Sequence, residues 1–343
     1  MPDAPLPLRP FEDLTPAVVL DALQALGHLG DGRLLQLNSF ENRVFQVMLE
    51  DGSSLVAKFY RQGRWTDLQI LEEHAFAREA AAEDLPVAAP LVLQAADASV
   101  TLCGSPPTLA HYRVPGATSA PWRVAVWERA AGRAPELEDP AVLRRLGATL
   151  GRLHQVGARA DFTHRVDFLP GPDTAQAMRR IAESGQVPAD QWPAWSAICE
   201  QACQHIASTF DLHRPRTLRI HGDCHPGNLL WRDGAPNLLD FDDTCRGPAI
   251  QDLWMLLPGD AGAASMALDG LLEGYESWRA FDRQEIALIE VLRLARMIRH
   301  NAWVAARWDD PAFPTAYPGF GGSAYWAQQT AELREQLGAC MPG

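Results

Sequence analysis

Leu218-Arg-Ile-His-Gly-Asp-Cys-His-Pro-Gly-Asn228 sets a run of polar, chemically capable side chains between apolar flanks, with Asp223 and Asn228 five positions apart. Twelve residues beyond Asn228, Asp240 ends the apolar piece Asn237-Leu-Leu-Asp240 and is followed by Phe-Asp-Asp243. From Asp223 to Asp252 there are six Asp against two Arg, a local surplus of carboxylates. The basic residues are lopsided too. Of thirty, twenty-nine are Arg, and the one Lys is Lys58, in Ser54-Leu-Val-Ala-Lys-Phe-Tyr60.

Around these points the chain reads as two halves. Arg43–Leu49 and Ser54–Tyr60 alternate apolar and polar residues across a turn at Glu50-Asp51-Gly52, which predicts a β-hairpin. Residues 67–82 place Leu68, Leu71, Ala75 and Phe76 at helical spacing, and Leu85-Pro-Val-Ala-Ala-Pro90 ends that helix. Further strands are expected near 99–103, 109–114 and 123–128. Beyond a link at Gly132–Pro140 the pattern turns helical, with helices expected at 141–156, 174–183, 190–210, 262–277, 282–306 and 322–337. Two short strand-like pieces, 229–231 and 237–240, flank a turn at Arg232–Pro236. The fold class expected is α+β and two-lobed, a β-rich N-lobe over residues 1–130 and a mainly helical C-lobe over 131–343.

Composition narrows the function classes. A length of 343 residues suits two lobes, because single cores seldom grow beyond about 250–300 residues. A hydrophobic fraction of 47% with 21% charged residues is that of a globular protein rather than a disordered one. The net charge of −13 argues against a nucleic-acid partner, which asks for a basic face. No run of about 18 apolar residues is present, so no membrane partner is expected. The start, Met1-Pro-Asp-Ala-Pro-Leu6, lacks the basic and apolar regions of a secretory leader. Six cysteines without a CxxC pair suit reduced thiols. A cytoplasmic protein is the expectation.

The polar segments share one chemistry. Asp223 and Asn228 have the spacing that separates the proton-accepting Asp from the metal-binding Asn in a kinase catalytic loop, and Asp240, at a strand end, can bind the metal that bridges the phosphates. Lys58 sits in Val-Ala-Lys on a strand, the context of a lysine that contacts the α- and β-phosphates. Its partner carboxylate should come from the next helix, where Glu72, Glu73 and Glu79 are candidates and Glu73 is favoured. The loop Leu37–Arg43, with Ser39 and its neighbouring amides, is expected over the phosphates, although it contains no glycine. The connection at Trp127–Ala131, which includes Glu128, is expected to meet the adenine. The candidate set is therefore Asp223 and Asp240 for catalysis, Ser39, Lys58, Glu73, Glu128 and Asn228 for ATP, and Asn228 and Asp240 for Mg²⁺.

These residues resemble the aminoglycoside phosphotransferase and choline kinase group. Six further segments narrow the likeness: Leu37–Val44, Ala57–Arg61, Arg64–His74, Pro86–Pro90, Gly247–Leu257 and Arg307–Pro314. Across nearly the whole chain the sequence is similar to the bacterial stress response kinase A family. That resemblance implies an ATP- and Mg²⁺-dependent serine/threonine protein kinase, cytoplasmic and monomeric, tied to envelope or oxidative stress. It carries the proton acceptor to Asp223, the metal ligands to Asn228 and Asp240, and an ATP-contacting serine to Ser39. One extra residue in the turn before Asp240 departs from the family pattern.

Other readings of the same residues are weaker. A small-molecule kinase acting on an amino alcohol or aminoglycoside shares the catalytic core. Asp240-Phe-Asp-Asp-Thr244 also fits the nucleophile motif of haloacid-dehalogenase-type phosphatases, but that reading leaves Lys58 and the His221–Asn228 loop idle. His221, Cys224 and His225 lack the spaced partner pair of a zinc site. His221 is expected to brace its loop, Asp252 to act as a buried carboxylate under that loop, and Cys199, Cys203, Trp122, Trp127 and the tryptophans from Trp254 to Trp326 to pack.

Overall fold

The computed structural model describes residues 10–341; the first six residues, read above for a leader, lie outside them. In chain order the elements are α1 (Pro16–Ala25), β1 (Gly30–Gln36), β2 (Arg43–Leu49), β3 (Ser54–Phe59), α2 (Asp67–Ala82), β4 (Val100–Gly104), β5 (Pro107–Tyr112) and β6 (Trp122–Glu128). Then come α3 (Pro140–Gly157), α4 (Pro170–Ser184), α5 (Trp192–His213), β7 (Leu218–Ile220), β8 (Leu229–Arg232), β9 (Ala235–Leu238) and β10 (Cys245–Gly247). The chain ends in α6 (Ile250–Trp254), α7 (Ala261–Glu276), α8 (Ile289–Ala305), α9 (Ala312–Ala316) and α10 (Ser323–Ala339). The fold class is the expected one, a six-stranded antiparallel sheet with its helices followed by a mainly helical C-lobe.

The chain forms two compact units. One holds the described residues up to Arg145 together with Phe162–Arg165 and His225–Thr244; the other holds Leu146–Asp161, Val166–Cys224 and the residues from Cys245 on. The division therefore does not follow chain order. The segment from His225 to Thr244 carries Asn228 and Asp240 into the unit of Lys58, while Asp223 belongs to the other.

In the first unit the sheet order is β1-β2-β3-β6-β5-β4. The period-2 alternation of its strands makes two buried faces. Leu55, Ala57, Phe59, Val124 and Val126 join a core with Val19, Ala22 and Leu23 of α1. Tyr60, Leu109 and Ala125 face the other way and pack with Ile70 of α2. Lys58 has the parity of this second face, in a strand flanked on both sides by partners: Val44 on β2 and Ala125 on β6. A long polar side chain is thereby buried in mid-sheet.

The second unit depends on how closely α3 approaches its neighbours. Cβ atoms added at Gly147 and Gly151 would meet the backbone oxygens of Leu271 and Tyr275 on α7 at 1.9 and 2.7 Å, and one at Gly157 would meet Arg219 O at 2.1 Å. This contact lets His154, between the last two glycines, reach Tyr275 and Asp252. Below it, α4, α5, α8 and α10 share a core in which Trp195 and Trp326 are fully buried.

Several sequence expectations are corrected. α1 and β1 were not expected, although Thr15 caps Val18 and Pro16 opens α1 in the way helix starts favour. The alternation of β1 is broken by a register shift between Gly30 and Leu34, which hides it from a period-2 reading. The helix expected over 282–306 is a 3-10 turn at Arg283–Leu288 followed by α8, because Glu285 turns inward to accept the Ile250 N–H at 2.9 Å. β7, β10, α6 and α9 are additional short elements. The turn at 232–236 is tighter than expected: Arg232 pairs Ala235, and Asp233 and Gly234 both have positive φ (53° and 79°), the two-residue hairpin type whose twist matches its strands. Trp278 is an exception among the tryptophans expected to pack, at 49% exposure.

Gly147→Ala tests the close approach of α3. Alanine gains roughly 1 kcal/mol of helix propensity, whereas forcing a methyl into a packed interface costs about 1–3 kcal/mol. With Leu271 O at 1.9 Å the second term wins, so the thermal midpoint should fall. An unchanged or raised midpoint would mean that α7 withdraws freely.

Candidate active site

Lys58 stands 2.7 Å from Asp240 Oδ1, 3.7 Å from Asp242 Oδ1 and 4.0 Å from Glu73 Oε1. Burial alone would lower its ammonium, but Asp240, Asp242 and Glu73 reverse the effect and hold it above the ordinary lysine value. Glu73 moves the opposite way from a salt-bridged carboxylate: burial, helped by Asp242 and Asp240, pushes it up to about 8 against the pull of Lys58 and Arg165. Glu72 is settled elsewhere. It accepts the backbone N–H groups of Thr163, His164 and Arg165 at 2.6–2.7 Å, whereas Glu73 lies within ion-pair distance of Lys58.

The carboxylates need cations of their own. Asp242 is buried and paired with Arg64, and its pKa lies well below the usual range because Arg64, Lys58 and Arg165 outweigh the cost of burial. Arg64 also reaches Asp243 at 2.6 Å, and Arg165 donates to the carbonyls of Asp242 at 2.5 Å and Thr244 at 2.8 Å. Asn42 donates to Asp242 Oδ2 at 3.1 Å and accepts the Arg61 N–H at 3.0 Å. Arg61 in turn donates to the carbonyls of Glu41 and Phe40. The loop carrying Ser39 is thus tied at its far end to the turn that carries Asp240; Ser39 itself is half-buried. Glu128 is exposed at the end of β6, paired in register with Leu55.

Asn228 and Asp240 are brought to one place by the β8–β9 hairpin. Leu229 pairs Leu238, and Leu239 N–H donates to Asn228 O at 2.9 Å, so both residues lie at the open end of the ladder. Asp240 adopts φ 53° and ψ 72°, a left-handed backbone rare outside glycine, and backbone strain of this kind gathers at functional sites. The donors fit a hard divalent cation: an amide oxygen and a carboxylate whose side chain is 40% exposed. Two buried oxygens nearby, Glu73 Oε2 and Asp242 Oδ1, have no hydrogen-bond partner.

Asp223 is held in the second unit. Asp252, fully buried, accepts the N–H of His221 at 2.7 Å and of Gly222 at 2.8 Å, and His154 Nε2 lies 2.9 Å away. Burial would raise Asp252, but His154, His221 and the Gly222 N–H keep it below the usual carboxylate value. Gly222 turns at φ 86°, where a side chain would be strained. The next N–H, of Asp223, donates to His221 Nδ1 at 3.3 Å, so His221 braces the loop as expected. Asp223 Oδ1 accepts from Arg296 Nη1 of α8 at 3.0 Å.

The sequence reading missed Asn42, Arg64, Arg165, His154 and Arg296. Arg64 lies in a segment quoted for family likeness, but its partner Asp242 is 178 residues away, and that of Asn42 is 200 away. No local pattern could have joined them.

Comparisons with known proteins place the chain in a family. A family described as "Phosphotransferase enzyme family" matches residues 33–289. A relative from Salmonella typhimurium, "Serine/threonine protein kinase RdoA", is 39% identical over 95% of this chain and 93% of its own. "Stress response kinase A" of Escherichia coli K12 is 37% identical over the same shares. Among solved structures, an amicoumacin kinase with AMP-PNP, Ca²⁺ and its antibiotic superposes with a TM-score of 0.69 at 20% identity, covering 93% of each chain. A microcompartment-associated aminopropanol kinase gives 0.68 at 18%, covering 94% of this chain and 98% of its own; at such identities the likeness speaks for the fold. A family match over residues 33–289, with kinases 37–39% identical along 95% of the chain, makes this chain a member of the phosphotransferase enzyme family and, within it, of the stress response kinase A family.

Proposed function

We propose that the chain is an ATP- and Mg²⁺-dependent kinase that moves the γ-phosphoryl group to serine or threonine hydroxyls of proteins, acting as a cytoplasmic monomer in a stress response. The observation that carries the phosphoryl chemistry is the lone lysine buried among Asp240, Asp242 and Glu73. The relatives' names support the protein acceptor and the stress context. No helix among the described residues is long and apolar enough to cross a membrane.

In this reading Lys58, positioned by Glu73, offers a compact ammonium to the α- and β-phosphates. Ser39 and the amides of its loop lie over the phosphates, and Trp127–Ala131, with Glu128, meets the adenine. Asn228 and Asp240 hold Mg²⁺, which supplies neutralising charge at the phosphates when bound. Asp223 orients the incoming hydroxyl and accepts its proton. Catalysis is then positioning and electrostatics, with no covalent intermediate on the enzyme.

The acceptor class is supported by Arg296. A guanidinium 3.0 Å from Asp223 Oδ1 takes one oxygen of that carboxylate and repels a cationic acceptor. Two like charges about 4 Å apart cost between about 1 kcal/mol in water and 4 kcal/mol near a protein surface. An amino alcohol or aminoglycoside meets that repulsion, whereas a neutral or acidic peptide segment does not.

Three variants test the assignment with labelled ATP. Asp223→Asn should lower transfer by about two to four powers of ten while leaving Mg·ATP binding intact; full activity would remove Asp223 as the base. Lys58→Arg keeps the charge but exchanges a point ammonium for a planar fork, and most transfer should be lost; near-normal turnover would mean that the lysine is incidental. Arg296→Ala should raise the ratio of amino-alcohol to protein phosphorylation by about tenfold. Transfer by the native chain to amines alone would overturn the protein acceptor.

A further inference from the structure

A second cluster of ligand-capable groups lies on the α2 side of the sheet, apart from Lys58. Asp67 opens α2, Cys103 lies on β4 and His111 on β5, and one donor atom from each falls within 4.8 Å of the other two. The register explains the convergence. Thr101 pairs His111 and Cys103 pairs Leu109, so Cys103 and His111 are diagonal neighbours on the face that α2 covers. All three residues are half-buried.

We propose that Asp67, Cys103 and His111 form a binding site for a zinc-class divalent ion. The donors are a carboxylate oxygen, a thiolate and an imidazole nitrogen, the mixed set that suits zinc rather than magnesium or calcium. The carboxylate is already divided between two tasks. Asp67 Oδ1 accepts from Arg123 Nε at 2.5 Å, which fixes its orientation as an outer partner of a metal ligand does. Oδ2 faces His111 Nε2 at 3.0 Å, yet that buried nitrogen has no partner in hydrogen-bonding geometry. A cation between the two would satisfy both. Three protein ligands leave a fourth position for water, and the bound ion would pin the first turn of α2 to β4 and β5. Because burial and Asp67 push the Cys103 thiol up, with Arg123 opposing, binding must release its proton: one thiol S–H bond breaks, one metal–sulfur bond forms, and one proton enters solvent.

The test uses the full-length chain, stripped with a chelator, and titrated with Zn²⁺ against a chromophoric competitor and separately with Co²⁺. Expected are one tight equivalent of Zn²⁺, about one proton released per ion, a thiolate-to-cobalt charge-transfer band and a raised thermal midpoint. Cys103→Ser and His111→Gln should each weaken Zn²⁺ binding at least tenfold, and Cys103→Ser should abolish the band. Both variants should keep the metal-free melting curve of the native chain, which separates loss of the site from loss of the fold. Equal Zn²⁺ affinity in native and variant chains, or Co²⁺ binding without the thiolate band, would overturn the site and leave Asp67 and His111 as an ordinary ion pair.

Discussion

A charge in the middle of a sheet has to be answered, and the answer to Lys58 organises its unit. An ammonium moved out of water costs several kcal/mol unless it is paired and hydrogen-bonded. Lys58, 5% exposed, meets that cost with three carboxylates rather than one. Three carboxylates around one cation are too many, so Asp242 is answered by Arg64 and Asn42. Arg165 presses on the same turn through two backbone carbonyls. Each group is tolerable only because the next is present. The loop of Ser39, β3, α2 and the turn of Asp240 are joined by this sequence of obligations as well as by apolar contacts such as Phe76 against Phe241. Glu73 takes the residual strain: its carboxyl is the one that burial drives upward.

The second unit solves a different problem, the shape of a loop. Consecutive N–H groups at His221 and Gly222 point at one carboxylate, and the next, at Asp223, turns back to the His221 ring. A buried carboxylate that accepts several hydrogen bonds is stable as an anion, and Asp252 has His154 as a further partner. His154 reaches it only because α3 lies on α7 with glycines between them. The direction of the Asp223 side chain is therefore set by a helix contact far from it in sequence, and Arg296 then takes one of its oxygens.

What could be read from the chain beforehand was what is local. The hairpin of β2 and β3 follows from alternation and a Gly-containing turn, and the His221–Asn228 loop from its spacing. Asp252 beneath that loop was also foreseeable, since a carboxylate in Ile250-Gln-Asp-Leu-Trp254 is otherwise out of place among apolar neighbours. β1 escaped because Gly30-Asp-Gly-Arg33 reads as a turn and its register slips there. Arg64 and Arg165 escaped for a stronger reason: among twenty-nine arginines, nothing in sequence marks the two whose partners lie far along the chain. Asp67, Cys103 and His111 belong to three elements and share no spacing at all.

The lopsided count of basic residues acquires a physical sense in this setting. Arginine is the better residue wherever two acceptors must be held in a fixed geometry, because its fork is planar and its charge is not lost on burial. Arg64 spans Asp242 and Asp243, and Arg165 spans two carbonyls of the same turn. Both act as clamps, and a lysine could not replace either. At position 58 the requirement is the reverse. A single point of charge must sit in a narrow mid-strand site, 5.3 Å from the Tyr60 ring and 5.5 Å from that of Trp127, with carboxylates on more than one side. A planar guanidinium would have to choose among them, whereas an ammonium with three rotatable donors can exchange one partner for another. A chain that uses arginine almost everywhere thus keeps its lysine at the position where clamping would be a fault.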